Sequence, residues 1–203
     1  MDEESVFRLL FVSVYAVFAG VRIFYRSQTL GRESEKVYSL FNKATIALMI
    51  AILGYFLSLG LWFFIPQIII QFYVPLPSLV RWLGGGLATV GIALTVWIHH
   101  TLGKQYAARW EIQKDHQLIT AGPYSRVRHP MYTTFNIFGI SVALITANLL
   151  AIFFAIAIAI PFFWIARSEE EILLEQFGDE YLEYMKRTGR FLPRFGYILT
   201  LRG

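Results

Sequence analysis

The chain has 203 residues, 56% hydrophobic and 16% charged, with the apolar residues in long uninterrupted runs, a composition that excludes a soluble domain and points to the membrane class. Zero cysteines exclude disulfides, thiol chemistry, cysteine-ligated zinc and iron–sulfur clusters. A net charge of +4 raises nucleic acid as a partner, but basic residues of a membrane protein collect on its cytoplasmic side, and their distribution here follows that rule.

Asp2, Glu3 and Glu4 precede the first apolar run, which has neither a basic leader nor a small-residue cleavage site, so it reads as a retained helix rather than a signal peptide. A hydrocarbon core about 30 Å thick needs roughly 20 apolar residues per helix. Residues 6–24, 44–65 and 79–98 each meet that need. Gly84, Gly85 and Gly86 fall inside the third of these spans, where small residues let helices approach closely; they match no dinucleotide-binding fingerprint. Residues 130–166 carry no charge but are far too long for one crossing, so they must fold back on themselves. Thr146-Ala147-Asn148 is the expected turn, because Asn tolerates the left-handed conformation and the two arms are then nearly equal. The expected fold is all-α: one polytopic membrane domain over residues 1–203, with five transmembrane helices, the last two a tight hairpin. A three-helix part spans 1–99 and a charged part 100–203.

Basic residues cluster in three places: Arg22, Arg26, Arg32, Lys36 and Lys43 after the first span; Lys104, Arg109, Lys114, Arg126 and Arg128 after the third; Arg167, Lys186, Arg187, Arg190, Arg194 and Arg202 after the fifth. Of the 18 basic residues only Arg8 and Arg81 fall at the opposite ends. With five spans and the N-terminus outside, every basic segment and the C-terminus are cytoplasmic. Most of the 14 acidic residues lie after residue 100, with a dense stretch over 169–183 directly beyond the last span.

Two segments carry chemistry. The connection 103–132, GKQYAARWEIQKDHQLITAGPYSRVRHPMY, is long for so small a protein, and its interleaved Tyr106, Trp110, Ile112, Leu118 and Ile119 argue against disorder. Gly122-Pro123 signals a turn, and Pro130 suits the first turn of the fourth span. Arg128 and His129 then stand at the mouth of that span, either as interfacial anchors or as site residues. In the second segment, Glu169-Glu170-Glu171 leave the fifth span, where three carboxylates repel one another and need cations or a cationic ligand. The ordinary alternative is a solvated helix start. An amphipathic helix with Ile172, Leu173, Leu174 and Phe177 follows, Gly178 ends it, and the basic finish 186–194 lies on the membrane or caps a site. His99, His100, His116 and His129 have no metal-binding spacing, so no metal is expected.

The run Gly122-Pro123-Tyr124, then Arg128-His129-Pro130-x-Tyr132, then Glu169-Glu170-x-x-Leu173 with Phe177-Gly178-x-x-Tyr181-x-x-Tyr184 resembles the isoprenylcysteine carboxyl methyltransferase family and the related phospholipid N-methyltransferases. The likeness covers about residues 100–195; the first three spans add only compatible topology. It implies S-adenosylmethionine bound at the cytosolic face, by the loop before the fourth span and the helices after the fifth, making 100–203 the catalytic part. His116, Leu118, Ile119, Gly122, Tyr124, His129, Pro130 and Glu170 would line the cofactor pocket, and Arg128, Tyr132 and Glu169 would sit nearer the acceptor. Relatives often carry an arginine four residues before the first paired glutamate; here that residue is Ile165, which leaves either different substrate handling or a substitution by Arg167.

Two acceptors fit this scheme: a carboxylate oriented by Arg128, needing no general base, and a phospholipid amine whose proton Glu169 or His129 could take. Membrane lipids and a lipophilic or lipidated substrate are the expected partners. On this reading Arg128→Ala loses transfer but keeps cofactor binding, and Glu170→Ala weakens cofactor binding. An NADPH-dependent membrane reductase, with Lys186-Arg187 near a 2′-phosphate, and a non-enzymatic membrane scaffold stay open as alternatives.

Overall fold

The computed structural model of the chain describes residues 2–28, 34–37, 43–103, 111–113 and 118–194. Helix α1 spans Glu3–Ser27, and Asp2 caps it by accepting a hydrogen bond from the Ser5 amide at 3.1 Å. Helix α2 spans Lys43–Phe64. Pro66 cannot continue it and instead opens a one-turn helix, α3, over Pro66–Ile69, followed by a 3-10 turn over Ile70–Phe72. Helix α4, Ser78–Leu102, stops at Gly103, whose φ of 49° is in the region glycine favours. Helix α5 runs over Pro130–Thr146 with Pro130 in its first turn, as the sequence predicts. Helices α6 (Leu149–Ala157), α7 (Ala159–Phe177) and α8 (Asp179–Arg187) follow.

By length and composition, α1, α2, α4 and the continuous Leu149–Phe177 stretch of α6 and α7 are long and apolar enough to cross a membrane, while α5 has 17 residues and is shorter. Large apolar side chains such as Leu53, Phe64, Leu79 and Ile160 point outward, as they do where the surrounding solvent is lipid. The interior is built on α4 and α5: a Cβ added at Gly84 would lie 2.8 Å from the Ser141 carbonyl, and one at Gly91 3.6 Å from Phe138. Phe18 of α1 stacks on Phe138 at 3.9 Å, and the Tyr55 hydroxyl of α2 donates to the Gly139 carbonyl at 2.9 Å.

The hairpin turn falls where the sequence places it, but for a different reason. Ala147, not Asn148, adopts the left-handed conformation, with φ 48°. Asn148 is extended and caps α6, accepting from the amides of Leu150 and Ala151 at 3.0 and 3.3 Å, while its own amide group donates to Ser58 at 3.2 Å. The returning arm has one gap in its hydrogen-bond ladder: Pro161 lacks the amide that would bond Ala157, which divides α6 from α7 at Ile158, although Ile158 keeps helical dihedrals (φ −61°, ψ −29°) and the Phe162 amide bonds its carbonyl at 3.4 Å.

Interhelix bonds define two ends. At one, Arg81 of α4 donates to Glu4 of α1 and to the Ile145 carbonyl of α5 at 2.9 and 2.8 Å, and Arg8 donates to the Phe63 carbonyl of α2 at 3.0 Å. At the other, Arg22 of α1 meets His99 of α4 at 3.0 Å, and Tyr25 stacks on the same ring. Beyond this second end, strands β1 (Ser34–Val37) and β2 (Glu111–Gln113) pair antiparallel, adding a short ribbon to an otherwise helical fold and joining the two basic connections.

Candidate active site

The chain approaching α5 is fastened to the chain leaving α8. A 3-10 turn over Gly122–Ser125 begins at Gly122, whose φ is 55° and whose missing Cβ would lie 2.6 Å from Thr101 Oγ1. Past this turn, Val127 bridges Gly189 in parallel: the Gly189 amide donates to the Arg126 carbonyl at 3.1 Å, and the amides of Arg128 and His129 donate to the carbonyls of Gly189 and Arg190 at 2.9 and 3.0 Å. A Cβ built at Gly189 would overlap the Leu192 carbonyl, so this crossing requires glycine. Side chains reinforce the join. The Tyr184 hydroxyl donates to the Tyr124 carbonyl at 2.7 Å, and Thr133 Oγ1 donates to the Phe191 carbonyl at 2.8 Å. Burial pushes the Tyr184 phenol up to about 12, so it stays a donor at neutral pH.

Glu170 is the centre of the arrangement. Its side chain is 3% exposed, and it accepts from Arg128 Nε at 2.8 Å and from Arg190 Nε and Nη2 at 3.0 and 2.6 Å. A carboxylate holding two guanidinium groups in this way is ionised. Arg128 spends its remaining reach on the Thr188 carbonyl at 2.6 Å and the Met185 carbonyl at 3.3 Å, at the end of α8, where a cation also meets the negative pole of the helix. His129 lies between the two carboxylates: Nδ1 is 3.3 Å from Glu169 Oε2, and Nε2 is 3.3 Å from Glu170 Oε1, an ion-pair contact rather than an aligned hydrogen bond. Burial alone would lower the imidazole, but Glu169 and Glu170 outweigh it and hold its pKa above the ordinary value. Tyr132 donates to Glu169 at 2.6 Å, and its ring lies between His129, at 5.7 Å, and Phe162, at 4.5 Å. Tyr181 is buried beside this cluster, its hydroxyl without a hydrogen-bond partner among the described residues.

Arg128, His129, Tyr132, Glu169 and Glu170 are thus brought together, although Arg128 and Glu170 face each other rather than open space. Pro130 is buried at the start of α5, and Leu118 and Ile119 are half-buried in the strand-like approach to Gly122. Arg167 is not part of the group: it is exposed and pairs with Glu171 one turn along α7 at 3.4 Å. His116 lies outside the described residues. Sequence reasoning did not single out Arg190, Thr188 or Gly189. The available signal was the basic finish after α8 together with the Thr-Gly pair that ends the helix. Arg190 and Arg128, and not Arg167, are the arginines bonded to Glu170.

Known proteins resemble this chain in fold or in sequence. The structure of the eukaryotic intramembrane Ras methyltransferase ICMT (isoprenylcysteine carboxyl methyltransferase) superposes with a TM-score of 0.57 at 23% identity, covering 91% of this chain and 67% of that one, and so shares the fold. The nickel-cobalt-cadmium resistance protein NccN of Alcaligenes xylosoxydans xylosoxydans is 32% identical over 115 residues, 56% of this chain and 53% of that protein. Protein-S-isoprenylcysteine O-methyltransferase of Saccharomyces cerevisiae is 31% identical over 134 residues, 64% of this chain and 56% of that enzyme. The chain spans about half the length of these relatives. The family model described as phospholipid methyltransferase matches residues 79–180, half of the chain, including Arg128, His129, Tyr132, Glu169 and Glu170, and the chain therefore belongs to that family.

Proposed function

We propose that this chain is a membrane methyltransferase that uses S-adenosylmethionine and delivers the methyl group to a lipophilic acceptor, a prenylcysteine-type carboxylate or a phospholipid amine, at the cytosolic face. The observation that carries the reading is the convergence of two segments about forty residues apart, at Arg128–Glu170 and Tyr132–Glu169, on one end of the bundle. The isoprenylcysteine O-methyltransferase relative and the family membership support it.

The residues present fit such a cofactor. Glu169, 20% exposed, offers acceptor oxygens to an amino or ribose group, and Arg190, 26% exposed, offers donors to a carboxylate. The buried Tyr181 hydroxyl leaves one donor unspent among the described residues. When bound, the cofactor supplies a methyl group already activated on sulfur. The chain's own part is then orientation and exclusion of water. Glu169 is the group that could take a proton from an amine acceptor, and Arg190 could orient a carboxylate. Arg128 is a positioning residue that acts through Glu170.

The cytosolic assignment takes the shorter α5 as a fifth crossing beside the four longer spans and sets the N-terminus outside, an arrangement favoured by the basic residues, of which only Arg8 and Arg81 then lie on the outer side. Both have local reasons to be there: Arg8 binds carbonyls at the end of α2, and Arg81 pairs with Glu4. The reductase reading has less support: of its phosphate-binding candidates Lys186-Arg187, Lys186 is paired with Glu183 within α8 and Arg187 lies 5.8 Å over the Tyr184 ring. The two readings separate in a melting experiment on the purified protein. S-adenosylhomocysteine should raise the melting temperature and NADPH should not. Stabilisation by NADPH alone would overturn the methyltransferase assignment.

A further inference from the structure

At the end of the bundle remote from the Glu170 cluster, the first turns of α1, the end of α2, the turn containing α3 and the α5–α6 turn enclose a cavity of about 260 Å³. Its walls include Trp62, Ile69, Ile70 and Asn148, and its two ionic groups are Glu4 and Arg8. The length of α5, roughly 26 Å at 1.5 Å per residue, separates it from His129.

Glu4 and Arg8 sit one helical turn apart on α1 and face the same space, but the bonds they make lead elsewhere. Glu4 accepts from Arg81 at 2.9 Å, and Arg8 donates to the Phe63 and Trp62 carbonyls at 3.0 and 3.4 Å. The cavity therefore presents a carboxylate and a guanidinium carried by residues about 6 Å apart along the helix axis. Arg81, behind Glu4, is 3% exposed and holds its guanidinium 3.8 Å over the Phe7 ring, so Glu4 has a fixed cation on one side and the cavity on the other. Apolar walls next to the outward-facing Phe64 and Ile70, 78% and 73% exposed, favour a ligand that reaches the cavity from the lipid side.

We propose that this cavity binds the headgroup of one phospholipid of the ethanolamine type, with its phosphate at Arg8, its primary ammonium at Glu4 and its acyl chains along Ile70 and Phe64. Phosphate and ammonium joined by two carbons match a pair of opposite charges one turn apart. A purely anionic headgroup meets Glu4 as well as Arg8, and Asp2 and Glu3 stand nearby on the same helix start. A choline headgroup carries an ammonium that cannot donate hydrogen bonds to Glu4. A water-soluble phosphoamine leaves the apolar walls and the lipid-side opening without a role. The bound lipid is not the methyl acceptor, because α5 lies between the two sites, and the assignment does not depend on the methyltransferase reading.

The test uses the full chain purified in detergent and supplied separately with phosphatidylethanolamine, phosphatidylcholine and phosphatidylglycerol of identical acyl chains. Native mass spectrometry counts the retained lipid, and melting temperature reports its effect on the fold. One retained phosphatidylethanolamine and a rise of several degrees are expected, with at least tenfold weaker retention of the other two. Ile70→Trp fills the cavity from an exposed position, and Arg8→Ala removes the phosphate partner; each should lose the retained lipid. Equal retention of the three lipids by the unaltered chain, preference for phosphatidylglycerol, or retention unchanged in Ile70→Trp would each overturn the proposal. Stabilisation by phosphoethanolamine without acyl chains would overturn the lipid as its source.

Discussion

Replacing Glu170 by alanine is expected to cost about 3–5 kcal/mol, because it strips the counter-charge from a buried cluster rather than removing one surface pair. Arg128, 8% exposed, and His129 would be left facing each other with only Glu169 to offset them, and Arg190 would lose both of its bonds to Glu170. The join between the approach to α5 and the end of α8 depends on that charge balance, so the same change should dismantle the candidate cofactor site. In a chain of this size the loss corresponds to a melting temperature lower by roughly 10 °C. Glu170→Gln keeps the shape and part of the hydrogen bonding and should fall between the two. A Glu170→Ala protein that melts within a degree or two of the parent and binds S-adenosylhomocysteine equally well would show that the cluster is incidental.

Arg128→Ala is the second large effect, and here the structure changes the expectation. Sequence reasoning assigned Arg128 to the acceptor, so that its loss would stop transfer and spare cofactor binding. Its Nε and Nη1 are instead committed to Glu170 and to the carbonyls of Met185 and Thr188. The alanine variant should therefore weaken S-adenosylhomocysteine binding at least tenfold, about 1.4 kcal/mol, together with turnover. Arg128→Lys should rescue little, since one ammonium cannot make the same set of divergent bonds. Unchanged affinity with abolished turnover would return Arg128 to the acceptor side.

The hydrophobic runs, the uncharged hairpin and its turn at residues 146–148 were legible because lipid imposes a simple rule on composition and length. What the turn does at each residue was not, since Ala147 takes the left-handed position only while Asn148 is engaged in capping α6 and in binding Ser58. The missing hydrogen bond between α6 and α7 was readable from Pro161, while the helical path through Ile158 follows the uninterrupted apolar run. At the candidate site, RHPxY and the paired glutamates were visible as spacing. Arg190 was not, because it lies on an irregular segment after α8 and meets Glu170 only through the Val127–Gly189 bridge, a long-range contact without local periodicity.

The central claim is that one methyl-donor site is built from both sides of the hairpin. Photo-crosslinking of methyl-labelled S-adenosylmethionine to the purified chain, followed by peptide mapping, tests it most directly. Label in peptides from both 118–132 and 169–190, competed by S-adenosylhomocysteine and lost in Glu170→Ala, is the predicted result. Competed label confined to α1 and α2, or specific label unaffected by Glu170→Ala, would contradict it.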